Sequence, residues 1–83
     1  MPHQLRYSKR AVKDIALLDP VIKERLGRDL LRFALDPLKY AKKLRDSKLG
    51  SYRFRSGDYL IIFDLDQEAI YVLRIGHRRE IYR

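Results

Sequence analysis

Eighty-three residues provide for one small domain over residues 1–83 and leave no material for a second core. An apolar content of 46% excludes wholesale disorder, and the absence of cysteine excludes disulfides, thiolate catalysis and zinc–thiolate sites. His3 and His77 are too widely spaced to suggest a metal site, so neither a metal nor another cofactor is expected, and the net charge of +8 directs attention to polyanionic or acidic partners.

Along the chain, Gln4–Tyr7 reads as a short first strand, and Ser8 is placed to cap the helix that follows. Ala11, Ile15 and Leu18 recur at helical spacing with Lys9, Arg10, Lys13 and Asp14 on the other side. Asp19-Pro20 reads as a stop and restart, with Asp19 capping and Pro20 at the first helical position. Ile22, Leu26, Leu30 and Phe33 continue on one face of a second helix. That helix ends near Asp36-Pro37, because the residue before a proline avoids helical geometry. Gly27 lies inside it, at a cost of about 1 kcal/mol relative to alanine. Two helices joined this tightly form an antiparallel hairpin.

Leu38–Gly50 reads as a basic connection, with Lys39, Lys42, Lys43, Arg45 and Lys48 against Asp46 alone. Strand patterning then begins. Tyr52–Arg55 and Tyr59–Asp66 flank the turn residues Ser56-Gly57-Asp58, and Asp66-Gln67-Glu68 turns into Ala69–Ile75. The second of these strands is apolar on both faces at its start, which suits a central position. The expected fold is α+β, in the order β-α-α-β-β-β: an antiparallel sheet with an N-terminal helical hairpin packed on one face.

Charge is distributed unevenly. Lys39–Arg55 carries +6 (seven cations against Asp46), Arg74–Arg83 carries +3, and Ser56–Leu73 carries −4. The two cationic regions meet if their strands pair. Side chains alternate along a strand, so Arg53 and Arg55 share one face while Tyr52 and Phe54 share the other. If the closing segment Arg74–Arg83 starts as strand, Arg74 and Arg78 also share a face. Several guanidinium groups on one face make a site for phosphate, with a neighbouring phenol available for chemistry.

The order of elements, the basic loop ending in Lys43-Leu44, Tyr52-Arg53-Phe54-Arg55-Ser56-Gly57-Asp58-Tyr59 and Ile75-Gly76-His77-Arg78-Arg79-Glu80-Ile81-Tyr82 together resemble the RelE/ParE toxin superfamily. The likeness spans nearly the whole chain; each motif is loose, but their order and spacing are fairly specific. It implies the toxin of a type II toxin–antitoxin pair, neutralised by an antitoxin whose C-terminal segment wraps it, in a complex that binds operator DNA through the antitoxin. RelE-like members cleave mRNA in the ribosomal A site, and ParE-like members poison DNA gyrase. The resemblance to RelE-like members assigns a basic pair to Arg53 and Arg55, a further arginine to Arg78 and a catalytic tyrosine to Tyr82. Such members commonly carry an arginine where this chain has Leu60, and Arg74 is the candidate to replace that guanidinium.

Metal-independent RNA cleavage needs a base for the 2′-hydroxyl, cations around the phosphate and an acid for the leaving 5′-oxygen. Arginine stays protonated and cannot be the base, which leaves Tyr82 and His77, although strand alternation sets His77 opposite Arg78. Each also has a packing role open to it: Tyr82 as an anchor for the C-terminus, His77 as a hydrogen-bonded strand end. Lys42, Lys43, Arg45, Arg74 and His77 read as RNA-binding residues that attract the ribosome and mRNA. Arg53 and Arg55 also suit an acidic antitoxin. Three functions thus stay open: a ribosome-dependent endoribonuclease, a gyrase inhibitor, or a degenerate toxin that keeps only antitoxin binding and autoregulation. No apolar run suits a signal peptide or membrane span, so a cytoplasmic protein without a membrane partner is expected.

Overall fold

The computed structural model describes residues 2–44 and 50–81. The elements run β1 (Gln4–Tyr7), α1 (Lys9–Ala16), α2 (Pro20–Leu35), α3 (Pro37–Tyr40), β2 (Lys42–Lys43), β3 (Tyr52–Ser56), β4 (Tyr59–Leu65) and β5 (Ala69–His77). The five strands form one sheet in the order β1-β5-β4-β3-β2, with β4 at its centre.

Local chemistry accounts for the boundaries. Ser8 Oγ accepts from Ala11 N at 3.0 Å, which satisfies one of the orphan donors of α1. Pro20 opens α2 with its fixed φ, but Asp19 makes no side-chain capping bond. α2 stops at Leu35, before Pro37, and Pro37 then opens the one-turn α3. The segment expected as a plain basic connection therefore holds a helical turn and the short strand β2, which pairs Lys42 with Arg53 and Lys43 with Tyr52.

The pairings β2–β3, β3–β4 and β4–β5 are antiparallel, as expected, whereas β1 joins β5 in parallel. Two tight turns make β3 and β5 run the same way. The helical hairpin crosses one face of the sheet and delivers the chain into β2, which runs opposite to β1; the reversal between β2 and β3 then sets β3, and with it β5, parallel to β1.

The main core lies between that hairpin and the sheet. Leu26, Leu30 and Phe33 of α2 pack on Phe54, Ile61, Phe63, Ile70 and Val72. Its centre is a run of rings: Phe33 to Phe54 at 4.2 Å and Phe54 to Phe63 at 4.0 Å between centroids. Tyr52 and Tyr59 pack at its margin. On the opposite face a second, smaller cluster joins Leu60, Ile62 and Ile81, with Leu44 packed against it. The turn after β5 folds back over that face, and Ile81, 1% exposed, is its anchor.

Candidate functional site

The face of the sheet away from the helices positions the cations. In register, Arg53 stands opposite Ile62, Arg55 opposite Leu60, and Lys42 opposite Arg53, so all five side chains share that face. The turn after β5 supplies Arg78 and Arg79. It is pinned by Arg78 N donating to Asp58 O at 2.8 Å, and by Glu80 N and Ile81 N donating to His77 O at 2.9 and 3.0 Å. Lys42, Arg53, Arg55, Arg78 and Arg79 line one cleft of about 430 Å³, with Leu60 and Tyr40 completing its wall.

The β3–β4 turn organises two of these cations. Gly57 holds a left-handed φ of 60°, which glycine adopts without Cβ strain. Arg55 Nε donates to Gly57 O at 2.9 Å, and Arg78 Nε lies 3.7 Å from Asp58 Oδ1. α2 holds the turn from behind. Arg25 Nη2 donates to Ser56 O at 3.3 Å, Ser56 Oγ donates to Asp29 Oδ2, and Arg32 pairs with Asp29 at 3.3 Å. Five cations thus converge, and Asp58 pairs with one of them, Arg78, an arrangement suited to binding an anion through charge-assisted hydrogen bonds.

Arg53, Arg55 and Arg78, expected to act together, are brought together, and Lys42 joins them. Arg74 and His77 are not part of the cleft; they line a separate cavity with Asp14, Leu18, Tyr59 and Glu80. Two features divert Arg74. The register shifts between Ile62 and Phe63, leaving Leu73 as an extra residue in β5. Asp14 of α1 then lies 3.6 Å from Arg74 Nε while its Oδ2 accepts from Ile75 N at 2.9 Å. Arg74 therefore does not stand in for the guanidinium absent at Leu60. His77 pairs with Tyr59, packs edge-on against its ring at 5.6 Å, and its Nδ1 accepts from Arg79 N at 3.2 Å. Lys43 is exposed opposite Tyr52, outside the cleft lining. Arg45 and Tyr82 lie outside the described residues.

Arg79 and Tyr40 were not among the expected site residues. The signal for Arg79 was its adjacency to Arg78 in a segment that leaves the strand at Gly76-His77. Tyr40 carried no comparable signal, because its place depends on α3. Among the described residues no cluster of acidic or histidine side chains suits a metal ion, and no helix is long and apolar enough to cross a membrane.

A family model described as the ParE toxin of the type II toxin–antitoxin system parDE matches residues 5–82. Toxin RelG of Mycobacterium tuberculosis is similar to this chain at 33% identity, over 100% of this chain and 99% of RelG. A chain of the toxin–antitoxin complex RelBE2 from the same organism has a TM-score of 0.85 at 26% identity, covering 94% of this chain and 100% of its own. A chain of the RelB–RelE antitoxin–toxin complex from Methanococcus jannaschii has a TM-score of 0.71 at 27% identity, covering 93% and 94%.

Proposed function

The chain belongs to the RelE/ParE superfamily of type II toxin–antitoxin toxins, as a RelE-like member, and from that premise we propose that it is a ribosome-dependent endoribonuclease that cuts mRNA and so inhibits translation. One observation carries this reading: Arg53, Arg55 and Arg78, from two separate parts of the sequence, meet in one cleft. In the reaction, the 2′-oxygen attacks the neighbouring phosphorus while the bond to the 5′-oxygen breaks, leaving a 2′,3′-cyclic phosphate and a 5′-hydroxyl. The three guanidinium groups bind the scissile phosphate and stabilise the charge that grows on it. Tyr82, which directly follows the anchored Ile81, takes part in proton transfer. Lys42 supports the RNA beside them, and Lys43 and Arg45 attract ribosomal RNA from the same basic segment.

Its partners in this reading are the ribosome with bound mRNA and a cognate antitoxin, through which the pair binds operator DNA in the cytoplasm. The RelBE2 and RelB–RelE chains that resemble it come from toxin–antitoxin complexes, which supports the antitoxin partner. A gyrase inhibitor is the second reading. It is favoured by the ParE character of the matching family model and by an aliphatic Leu60 in the cleft wall.

Controlled expression followed by mapping of mRNA 5′ ends and of plasmid topology in the same cells separates the two. Codon-phased cuts in the A site are expected, and Tyr82→Phe is expected to slow them while antitoxin affinity stays nearly intact. Altered plasmid topology without such cuts would establish the gyrase reading instead.

A further inference from the structure

The cations of the cleft differ in their commitments within the protein. Arg55 donates to Gly57 O and Arg78 faces Asp58. The side chains of Lys42 and Arg79 make no hydrogen bond or ion pair among the described residues, and both are exposed. Among the described residues, nothing competes with a ligand for their charge.

Their places in the fold are also distinctive. Lys42 sits on β2 and Arg79 just past β5, at opposite sides of a cleft whose floor is β3 and β4. Three inter-strand spacings separate those sides, roughly 14 Å. An anion seated between Arg53, Arg55 and Arg78 leaves Lys42 on one flank and Arg79 on the other. Arg79 is held there by the pinned turn, with its own N–H on His77 Nδ1, while the neighbouring Glu80 lines the other cavity.

We infer that Lys42 and Arg79 bind the phosphates on either side of the scissile one, so that single-stranded RNA crosses the sheet roughly perpendicular to its strands, from β2 to the turn after β5. The inference rests on the nuclease reading for the identity of the central phosphate. Its geometry requires only a chain of phosphates. A lone phosphate group over Leu60 meets the central arginines; a strand meets all five cations.

Equilibrium binding of a labelled single-stranded hexanucleotide and of a nucleoside monophosphate, each across a salt series, tests it with the full chain. Each phosphate contact on a single strand contributes about 0.7 to the slope of log affinity against log salt. Arg79→Ala and Lys42→Ala are each expected to reduce the hexanucleotide slope by about 0.7, and the double variant by about 1.4. Arg79→Lys is expected to retain the slope. The monophosphate should bind all variants as it binds the parent protein. Unchanged hexanucleotide slopes, or equal losses on the monophosphate, overturn the inference. So does a loss that appears only with an acidic peptide, which would make these two side chains part of a protein interface. A thermal melt of each variant checks folding, and these exposed side chains should leave it unmoved. Ribosomal cleavage by the parent protein is scored separately. Slope losses without cleavage keep the phosphate track and remove the nuclease, whereas cleavage with unchanged slopes does the reverse.

Discussion

Asp58 lies 3.7 Å from Arg78 Nε, with both side chains well exposed. An exposed pair of this kind is worth at most about 1 kcal/mol, so a phosphate can displace it. Asp58→Asn is expected to raise affinity for a single-stranded RNA oligonucleotide, by up to roughly fivefold at low salt. Weaker binding by that variant would show that Asp58 positions Arg78 rather than competing for it. A second carboxylate matters for stability instead. Asp66 Oδ2 accepts from the Tyr71 hydroxyl and its Oδ1 from Glu68 N and Ala69 N, each at 2.8 Å. The Tyr71 hydroxyl first, then these N–H groups, hold the Asp66 carboxyl below the usual carboxylate range, and the same bond with Asp66 raises the Tyr71 phenol. For Asp66 the stabilisation is complete above the ordinary carboxylate range and disappears as pH falls through its lowered value. For Tyr71 it is complete below the ordinary phenol range and disappears as pH rises through its raised value. Denaturant unfolding of Asp66→Asn should therefore show a stability deficit across neutral pH that closes toward acid; a gap that persists at low pH would contradict this. At this scale, Arg53 and Arg55 were legible because a period of two sets their face. The destination of Arg74 was not, because an unsignalled extra residue, Leu73, and a carboxylate from α1 decide it.

Two glycines show how the same substitution can have opposite signs in different elements. Gly27 lies on the exposed side of α2, with nothing within 4 Å of a Cβ added there. Gly27→Ala is expected to stabilise by about 0.5–1 kcal/mol, through helix propensity and a less free unfolded chain. Gly57 has φ of 60° and a Cβ there would meet Arg25 Nη2 at 2.8 Å. The arginine end can yield, but the backbone cannot, and Gly57→Ala is expected to cost about 1–2 kcal/mol. Thermal unfolding should move by several degrees in opposite directions, since about 1 kcal/mol shifts a domain of this size by roughly 4–8 °C. RNA binding should fall only for Gly57→Ala, whose turn carries the acceptor of Arg55 and the partner of Arg78. Equal effects of the two variants on binding would refute that role for the turn. The elements themselves were largely legible, because Ser8, Pro20 and the proline after Asp36 act locally. α3 and β2 were not, since Lys42-Lys43 is a strand only through pairing with Tyr52-Arg53, which short-range pattern does not encode.

Folding separates charge that the net value of +8 conceals. Five cleft cations, Lys42, Arg53, Arg55, Arg78 and Arg79, come from the two cationic stretches of the sequence and meet toward the Tyr59 end of β4. Asp66 and Glu68 stand beyond the other end of that strand, about 20 Å away at roughly 3.3 Å per residue. The Debye length is about 8 Å at physiological ionic strength, so these acids do not cancel the field over the cleft. The segment sums made the two basic regions visible in the sequence. Their convergence depended on β5 lying beside β4, a long-range pairing that fixes where the tail turn falls. A strand occupying three phosphate positions should give a slope near −2 in log affinity against log salt, at about 0.7 per phosphate. Affinity of the parent protein for a hexanucleotide should then fall roughly 20-fold between 50 and 200 mM salt, while a nucleoside monophosphate loses only about threefold. Matching losses for the two ligands would mean that the separated charge is read one phosphate at a time, and that the cationic face serves attraction without imposing a path on the strand.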